Sequence, residues 1–151
     1  MTSPRFQVVP AAYIFLRRGG EVLLQLRTNT GYMDGHWAAA AAGHVEAGES
    51  VYQAAVREAR EELDITIRAA DLIPLTSLHR RGSSDQPIEQ RVDWMFTAEI
   101  WEGEPRRAEE EKNSALQWYS LDDLPLMPPH ERYVLERWQA GKLRSVEVLG
   151  F

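Results

Sequence analysis

Cysteine is missing from all 151 residues of this chain. That excludes disulfides, thiolate metal sites and cysteine nucleophiles. No apolar run reaches the ~20 residues that cross a bilayer, and the apolar run Val8 to Leu16 carries Pro10 inside it. The start, MTSPRFQVV, has no charged segment leading into a long apolar one, the mark of an export signal. The expectation is a soluble, cytoplasmic protein with no membrane partner. Positive charge is also short: 17 Lys and Arg stand against 23 Asp and Glu, a net −6. This argues against a nucleic acid polymer held through its backbone. It leaves small phosphorylated ligands open, because a divalent cation inverts the local charge. Repeats and low-complexity linkers are absent apart from the alanines at 38–42.

What is present is enough for a core. Hydrophobic residues make up 44% of the chain, too many for a disordered segment, and the length suggests one domain spanning 1–151. Ala11 to Leu16 reads as a strand covered on both faces, Gly19-Gly20 as a hairpin turn, and Val22 to Arg27 as the returning strand. Thr28 to Gly35 reads as a loop. Trp37 to Ala42 is a strand or a close-packed extended segment. Ile65 to Ile67 and Leu72 to His79 read as strand, and Arg80 to Pro87 as loop. Gln90 to Trp101 alternates, with Val92, Trp94, Phe96, Ala98 and Ile100 on one face and Arg91, Asp93, Met95, Thr97 and Glu99 on the other. Leu116 to Tyr119 is a further short strand. Ser120 with Asp123 resembles a helix start limited by Pro125. Pro128-Pro129 precedes a helix of about eleven residues stopped by Gly141. Strands alternating with a central and a C-terminal helix give an α/β or α+β domain with a sheet between helices.

The stretch Gly43 to Glu62, GHVEAGESVYQAAVREAREE, carries the chemistry. Ser50 with Gln53 makes a capping box, and the helix runs from Val51 to Leu63. At 100° per residue, Tyr52, Val56, Ala59 and Leu63 form the expected core stripe. Gln53, Arg57, Arg60 and Asp64 gather on a polar face. Glu58, Glu61 and Glu62 share a third sector with Val51, Ala54 and Ala55. Like charges three and four residues apart repel by roughly 0.2–0.5 kcal/mol per pair, and the last turn favours cations instead. A cation bound to the three acids answers both penalties.

This segment resembles the Nudix box: glycine, five residues, glutamate, seven residues, then arginine-glutamate-apolar-any-glutamate-glutamate-any-glycine-apolar. Here these fall at Gly43, Glu49, Arg57-Glu58, Ala59, Glu61-Glu62, Asp64 and Ile65. Two positions depart. Ala59 is small for the apolar slot, and Asp64 replaces a glycine suited to a left-handed helix end, which makes that end questionable. The segment LQWYSLDDLP also looks like the family.

The resemblance implies a mixed sheet in an alpha-beta-alpha sandwich, and hydrolysis of a nucleoside diphosphate linked to another group, with magnesium or manganese as cofactor. It places the metal on Gly43 (through its carbonyl), Glu58, Glu61 and Glu62. Either Glu58 or Glu61 orients or deprotonates the attacking water, and Arg57 holds the box in shape. A further acid from outside the box falls in Glu109-Glu110-Glu111, with Glu111 favoured. Candidate substrate contacts are Arg27 for a phosphate, Asp34 in its loop for a base or sugar, Trp37 for stacking, and Arg91 with Asp93 from one strand face. The competing reading for each is a packing or loop-bracing role. His36, His44, His79 and His130 are read as structural. Alanines stand where a similar bacterial subgroup has leucine and proline before the box glycine, which leaves more room. The expected substrate is a small nucleotide. A nucleoside triphosphate, including an oxidised one, comes first because the chain is compact; ADP-ribose or a nucleotide sugar comes second. A sensing module of the same fold that binds without cleaving is the alternative class. The related isoprenoid diphosphate isomerases need a cysteine, which is absent. A monomer and a homodimer are both compatible with the sequence.

Overall fold

The computed structural model describes residues 4–151. Eight strands and two helices follow in the order β1 (Val9–Arg18), β2 (Glu21–Arg27), β3 (Trp37–Ala39), β4 (Ala41–His44), α1 (Val51–Leu63), β5 (Ile73–Arg81), β6 (Gln90–Ala98), β7 (Asn113–Ser120), α2 (Pro129–Gln139) and β8 (Val146–Leu149). They form one mixed sheet with the path β3-β2-β1-β6-β5-β8, from which β4 branches onto β1 and β7 onto β2. The β1–β6 and β5–β8 pairs are parallel and the others antiparallel. Among the described residues no helix is long and apolar enough to cross a membrane.

Strand β1 organises the molecule. Its Ala12, Ile14 and Leu16 face α1, packed with Ala54, Ala55, Ala59 and Leu63. Its alternate residues Ala11, Tyr13 and Phe15 face Val134 and Leu135 of α2. A helix on each face of a sheet is the architecture expected from the sequence, an α/β sandwich. Only the tip of β1, Arg17–Arg18, pairs with β2 across the Gly19-Gly20 turn; the rest is held by β4 and β6.

Helix α1 keeps its sequence-read limits. Ser50 Oγ accepts the Gln53 N–H at 3.1 Å, and Gln53 Oε1 accepts the Ser50 N–H at 2.7 Å. At the other end Asp64 adopts the left-handed conformation (φ 55°, ψ 39°), and its N–H donates to the Arg60 carbonyl. Aspartate therefore occupies the conformation of the missing glycine, with a carboxylate 2.9 Å from Arg106 Nε. A β-branched residue tolerates left-handed φ far less well. Asp64→Val is expected to lower the unfolding free energy by about 1–2 kcal/mol, read as a fall in the urea midpoint at constant slope. An unchanged midpoint would show that the helix end relaxes freely.

The core face of α1 differs from the stripe read in the sequence. The buried residues are Ala54, Ala55, Ala59 and Leu63, while Tyr52 is 39% exposed and touches only the rim, its ring 5.1 Å from Phe96. The buried sector is rotated toward Glu58 and Glu62. Alanines look neutral to an amphipathicity argument, yet they let the helix approach Ala12 and Ala41 closely. The alanine run splits at Ala40 into β3 and β4. Other boundaries also moved. Ile65–Ile67 is extended with a single bridge, Thr66 to Glu102. Arg80 and Arg81 belong to β5 rather than a loop. The stretch after Ser120 is a turn capped by its own hydroxyl, with no helix. Strand β6 is central, between β1 and β5, so its polar face is buried too: Asp93 and Thr97 are both inside.

Candidate active site

Strand β4 lies against α1 and brings Gly43 to the box acids. A Cβ built on Gly43 would overlap the carboxylate of Glu58, so any side chain there must push that carboxylate aside. Gly43→Ala is expected to displace Glu58 and lower turnover about tenfold while the chain still folds; kcat with circular dichroism of the same sample checks both halves.

Glu62 Oε2 accepts the Ala42 N–H at 2.7 Å. Burial pushes the Glu62 carboxyl well above the usual carboxylate range; the Ala42 N–H opposes this, and the charges of Glu58 and Glu109 add to it. Burial likewise raises Glu58, against the pull of Arg57. These two carboxylates touch each other. Burying adjacent like charges is costly unless a cation or proton joins them. Glu61 differs: its side chain is 50% exposed and lies 3.3 Å from Arg57 Nη1.

Arg57 is the hub of the box. It meets Glu49 through Nε at 3.1 Å and Nη2 at 2.7 Å, Glu58 at 2.8 Å, and the His44 carbonyl at 3.1 Å. This two-pronged pairing fixes the loop before α1, and Glu49 in turn accepts the Glu46 N–H.

The acidic run after β6 approaches the same place through Glu109 rather than Glu111. The Ala108 N–H donates to the Glu62 carbonyl at 3.1 Å, and Glu109 is the outside acid whose charge bears on Glu62. Its side chain is three-quarters buried and pairs with Lys112 at 3.0 Å. Glu110 and Glu111 are exposed. Among the described residues no three acid or histidine side chains already stand as a closed metal cage. The donor set is all oxygen, with two touching buried carboxylates lacking a countercharge of equal size. It fits a hard divalent cation that keeps several waters.

On the α2 side of β4 opens a cavity of about 600 Å³, which reaches Ala42, Gly43 and His44. Arg27 and Arg91 line it; Asp34 and Trp37 do not. Asp34 accepts hydrogen bonds from Thr30 and Gly31 and shapes its own loop. Trp37 packs edge-on to Tyr119, 5.0 Å between rings. Asp93 is fully buried, bonded to Arg80 beneath the cavity wall.

Four residues of this cavity escaped the sequence reading: Tyr13, Arg80, His130 and Glu131. Tyr13 Oη lies 3.2 Å from His130 Nε2. Burial and the neighbouring arginines Arg80, Arg91 and Arg27 depress His130 well below its ordinary value. Glu131 Oε1 accepts the Ala39 N–H at 2.7 Å, and burial pushes its carboxyl up to about 7. Nothing in local spacing joins positions 13, 80 and 130–131. The one available signal was Pro128-Pro129, which sets His130 and Glu131 in the first turn of α2.

A glycine approached by a helix of paired acids, on a mixed sheet between two helices and beside an arginine-lined cavity, defines a hydrolase class for phosphorylated substrates. The NUDIX domain model matches residues 7–138, and the chain belongs to the Nudix hydrolase family. It is 33% identical over 141 residues to the NAD-capped RNA hydrolase NudC of Pseudomonas aeruginosa, covering 91% of this chain and 46% of that protein. It is 34% identical over 124 residues to the NudC of Photorhabdus laumondii, covering 82% and 44%. The chain thus spans about half the length of the curated relatives it matches. Among solved structures, the MutT NUDIX hydrolase from Burkholderia pseudomallei superimposes with a TM-score of 0.77 at 30% identity, over 86% of this chain and 97% of that one.

Proposed function

We propose that the chain hydrolyses the diphosphate linkage of a small nucleotide, with magnesium or manganese held by Glu58, Glu62, Glu109 and the carbonyl of Gly43. The observation that carries this is Glu58 pressed against Gly43 and Glu62 bonded to the Ala42 N–H, where Ala42 and Gly43 themselves line the cavity. When bound, such a cation neutralises the diphosphate and lowers the pKa of an attacking water. Glu58 would take the proton of the attacking water: burial raises its affinity for protons, and its carboxylate lies against Gly43, which lines the cavity. Arg57 holds Glu58 and Glu49 in register. Glu61 is turned to Arg57 and joins the cation only by leaving it. Arg27 and Arg91 face the ligand, Asp34 shapes the loop whose Tyr32 carbonyl and Thr30 hydroxyl hold the Arg27 side chain, and Trp37 and Asp93 support the wall from behind.

For the substrate, the reading shifts. The compactness that ranked a triphosphate first carries no weight for a chain spanning half its curated relatives. Their printed name, NAD-capped RNA hydrolase, supports a diphosphate joining a nucleoside to a second group. A cavity of about 600 Å³ has room for such a ligand. The test is product analysis with magnesium, manganese or a chelator, over nucleoside triphosphates, ADP-ribose, nucleotide sugars and NAD. Cation-dependent release of a nucleoside monophosphate is expected. Tight binding of the panel with no turnover would replace the hydrolase with a sensor.

A further inference from the structure

The cation content of the cavity exceeds its anion content at one end. Arg27, Arg80 and Arg91 all line it, in a chain that is net acidic. Arg80 and Arg91 share a single carboxylate, Asp93. Arg80 holds it tightly, but Arg91 Nε stands 3.5 Å from Asp93 Oδ1, and both of those atoms are buried with no hydrogen-bond partner. Arg91 is therefore loosely committed. Arg27 pairs with no carboxylate among the described residues; its bonds go to the Tyr32 carbonyl and the Thr30 hydroxyl. Glu131 is the other acid deep in the wall, and burial suppresses its charge near neutral pH. Glu89 is occupied with the Ser84 hydroxyl and N–H. Guanidiniums withdrawn from water need an anion, and their fork suits phosphate oxygens.

Strand order sets the spacing. Gly43 is on β4, Arg91 two strands away on β6, and Arg80 three strands away on β5. At ~4.8 Å per strand and ~3.3 Å per residue, and with both arginines three residues along the sheet from the Gly43 row, their backbones lie about 14 and 17 Å from the glycine that meets the box acids. Arginine side chains reach back across part of that distance.

From this placement we infer that the cavity binds a second phosphate, carried on the ribose of the nucleotide whose diphosphate sits at Gly43, through Arg91 and Arg80 with help from Arg27. This deepens the proposed function and rests on it for the diphosphate's position. The shared chemistry is a ribose phosphate at either the 2′ or the 3′ hydroxyl.

Two measurements separate this inference from the hydrolase reading. The first is equilibrium binding in chelator, without turnover, of adenosine and guanosine 5′-monophosphates against their 2′,5′- and 3′,5′-bisphosphates. At least one bisphosphate is expected to bind tenfold or more tightly than its monophosphate. The gain should shrink to twofold or less in Arg91→Gln and fall steeply with salt. Whichever isomer gains identifies the hydroxyl. Equal binding within every pair, or no binding at all, overturns the inference. The second is hydrolysis with magnesium of two matched pairs, NAD against NADP and dephospho-coenzyme A against coenzyme A. Preference for a phosphorylated member supports it. Turnover without preference overturns it while leaving the hydrolase intact. Selective bisphosphate binding with no hydrolysis of anything leaves the phosphate site standing and removes the hydrolase.

Discussion

Glu62→Gln is expected to lower turnover roughly 100-fold and, in the absence of divalent cations, to raise the melting temperature. The two effects have one cause. Glu62 is buried against Glu58, and the repulsion between their carboxylates is a cost the fold carries without a cation. An amide of the same shape keeps its oxygen for the Ala42 N–H and removes one charge. The metal-free chain should therefore gain stability. The same change deletes a hard anionic ligand, and weakened ligation commonly costs 10–100-fold in affinity or activity even one shell further out. Thermal melts with and without magnesium, beside kcat, read both sides. Wild type should show a melting point that climbs with magnesium, and the variant a smaller climb. A variant as active as wild type, or one destabilised without metal, would remove Glu62 from the site.

Helix α1 was legible because its signals are local. Ser50 and Gln53 are three residues apart and cap each other without help from the rest of the chain. The short β1–β2 hairpin announced itself through Gly19-Gly20 for the same reason. Which face α1 buries was not legible from polarity. The sector that packs against β1 and β4 contains Ala54, Ala55, Glu58 and Glu62, and a core stripe drawn through the larger apolar side chains Tyr52 and Val56 passes beside it. Likewise the alternation along β6 suggested one wet face, but β6 lies between two strands with helices on both sides. Asp93 and Thr97 are accepted inside because Arg80 and the Phe15 carbonyl satisfy them.

The two halves of the site differ in how far apart their residues lie in sequence. The acids fall within one gapped motif, so spacing alone assembled them. The cavity joins β1, β5, β6 and α2, and no spacing rule connects Tyr13 with Arg80 or Glu131. Arg27 was named for its place at a strand end, and Arg91 because it shares a strand face with Asp93. Asp34 was named from a loop rich in turn formers, and in the structure it accepts hydrogen bonds from Thr30 and Gly31 within that loop. Within the run of three glutamates the sequence favoured Glu111 without separating it from Glu109 and Glu110; in the structure Glu109 is the one whose charge bears on Glu62, next to the bond from the Ala108 N–H to the Glu62 carbonyl.

Glu131→Gln is expected to stabilise the chain above pH 7 by about 3 kcal/mol and to leave it nearly unchanged below pH 4.5. Glu131 is fully buried, and its carboxyl is pushed from 4.5 up to about 7, first by burial and also by the charge of Asp93, against the Ala39 N–H and Arg27. A raised acid works against the folded state as pH rises. Below the unfolded value both states hold the proton, and there is no penalty. Between about 4.5 and 7 the unfolded chain releases its proton while the folded chain keeps it, so wild-type stability falls. Above about 7 the full penalty is present and stays constant. Glutamine preserves the acceptor for the Ala39 N–H and never ionises, so its advantage opens across that window. Nearby groups do not mimic the effect: burial pushes His130 down rather than up, and His130 and Arg80 are the same in both chains. Urea unfolding of both chains at pH 4.5, 6 and 8, in chelator to silence the box acids as metal ligands, yields the difference directly. The box acids titrate in both chains and cancel in the comparison. A gap that is the same at all three pH values would show that Glu131 ionises with an ordinary carboxylate pKa, and that the cavity wall behind Arg27 is wetter than its burial implies.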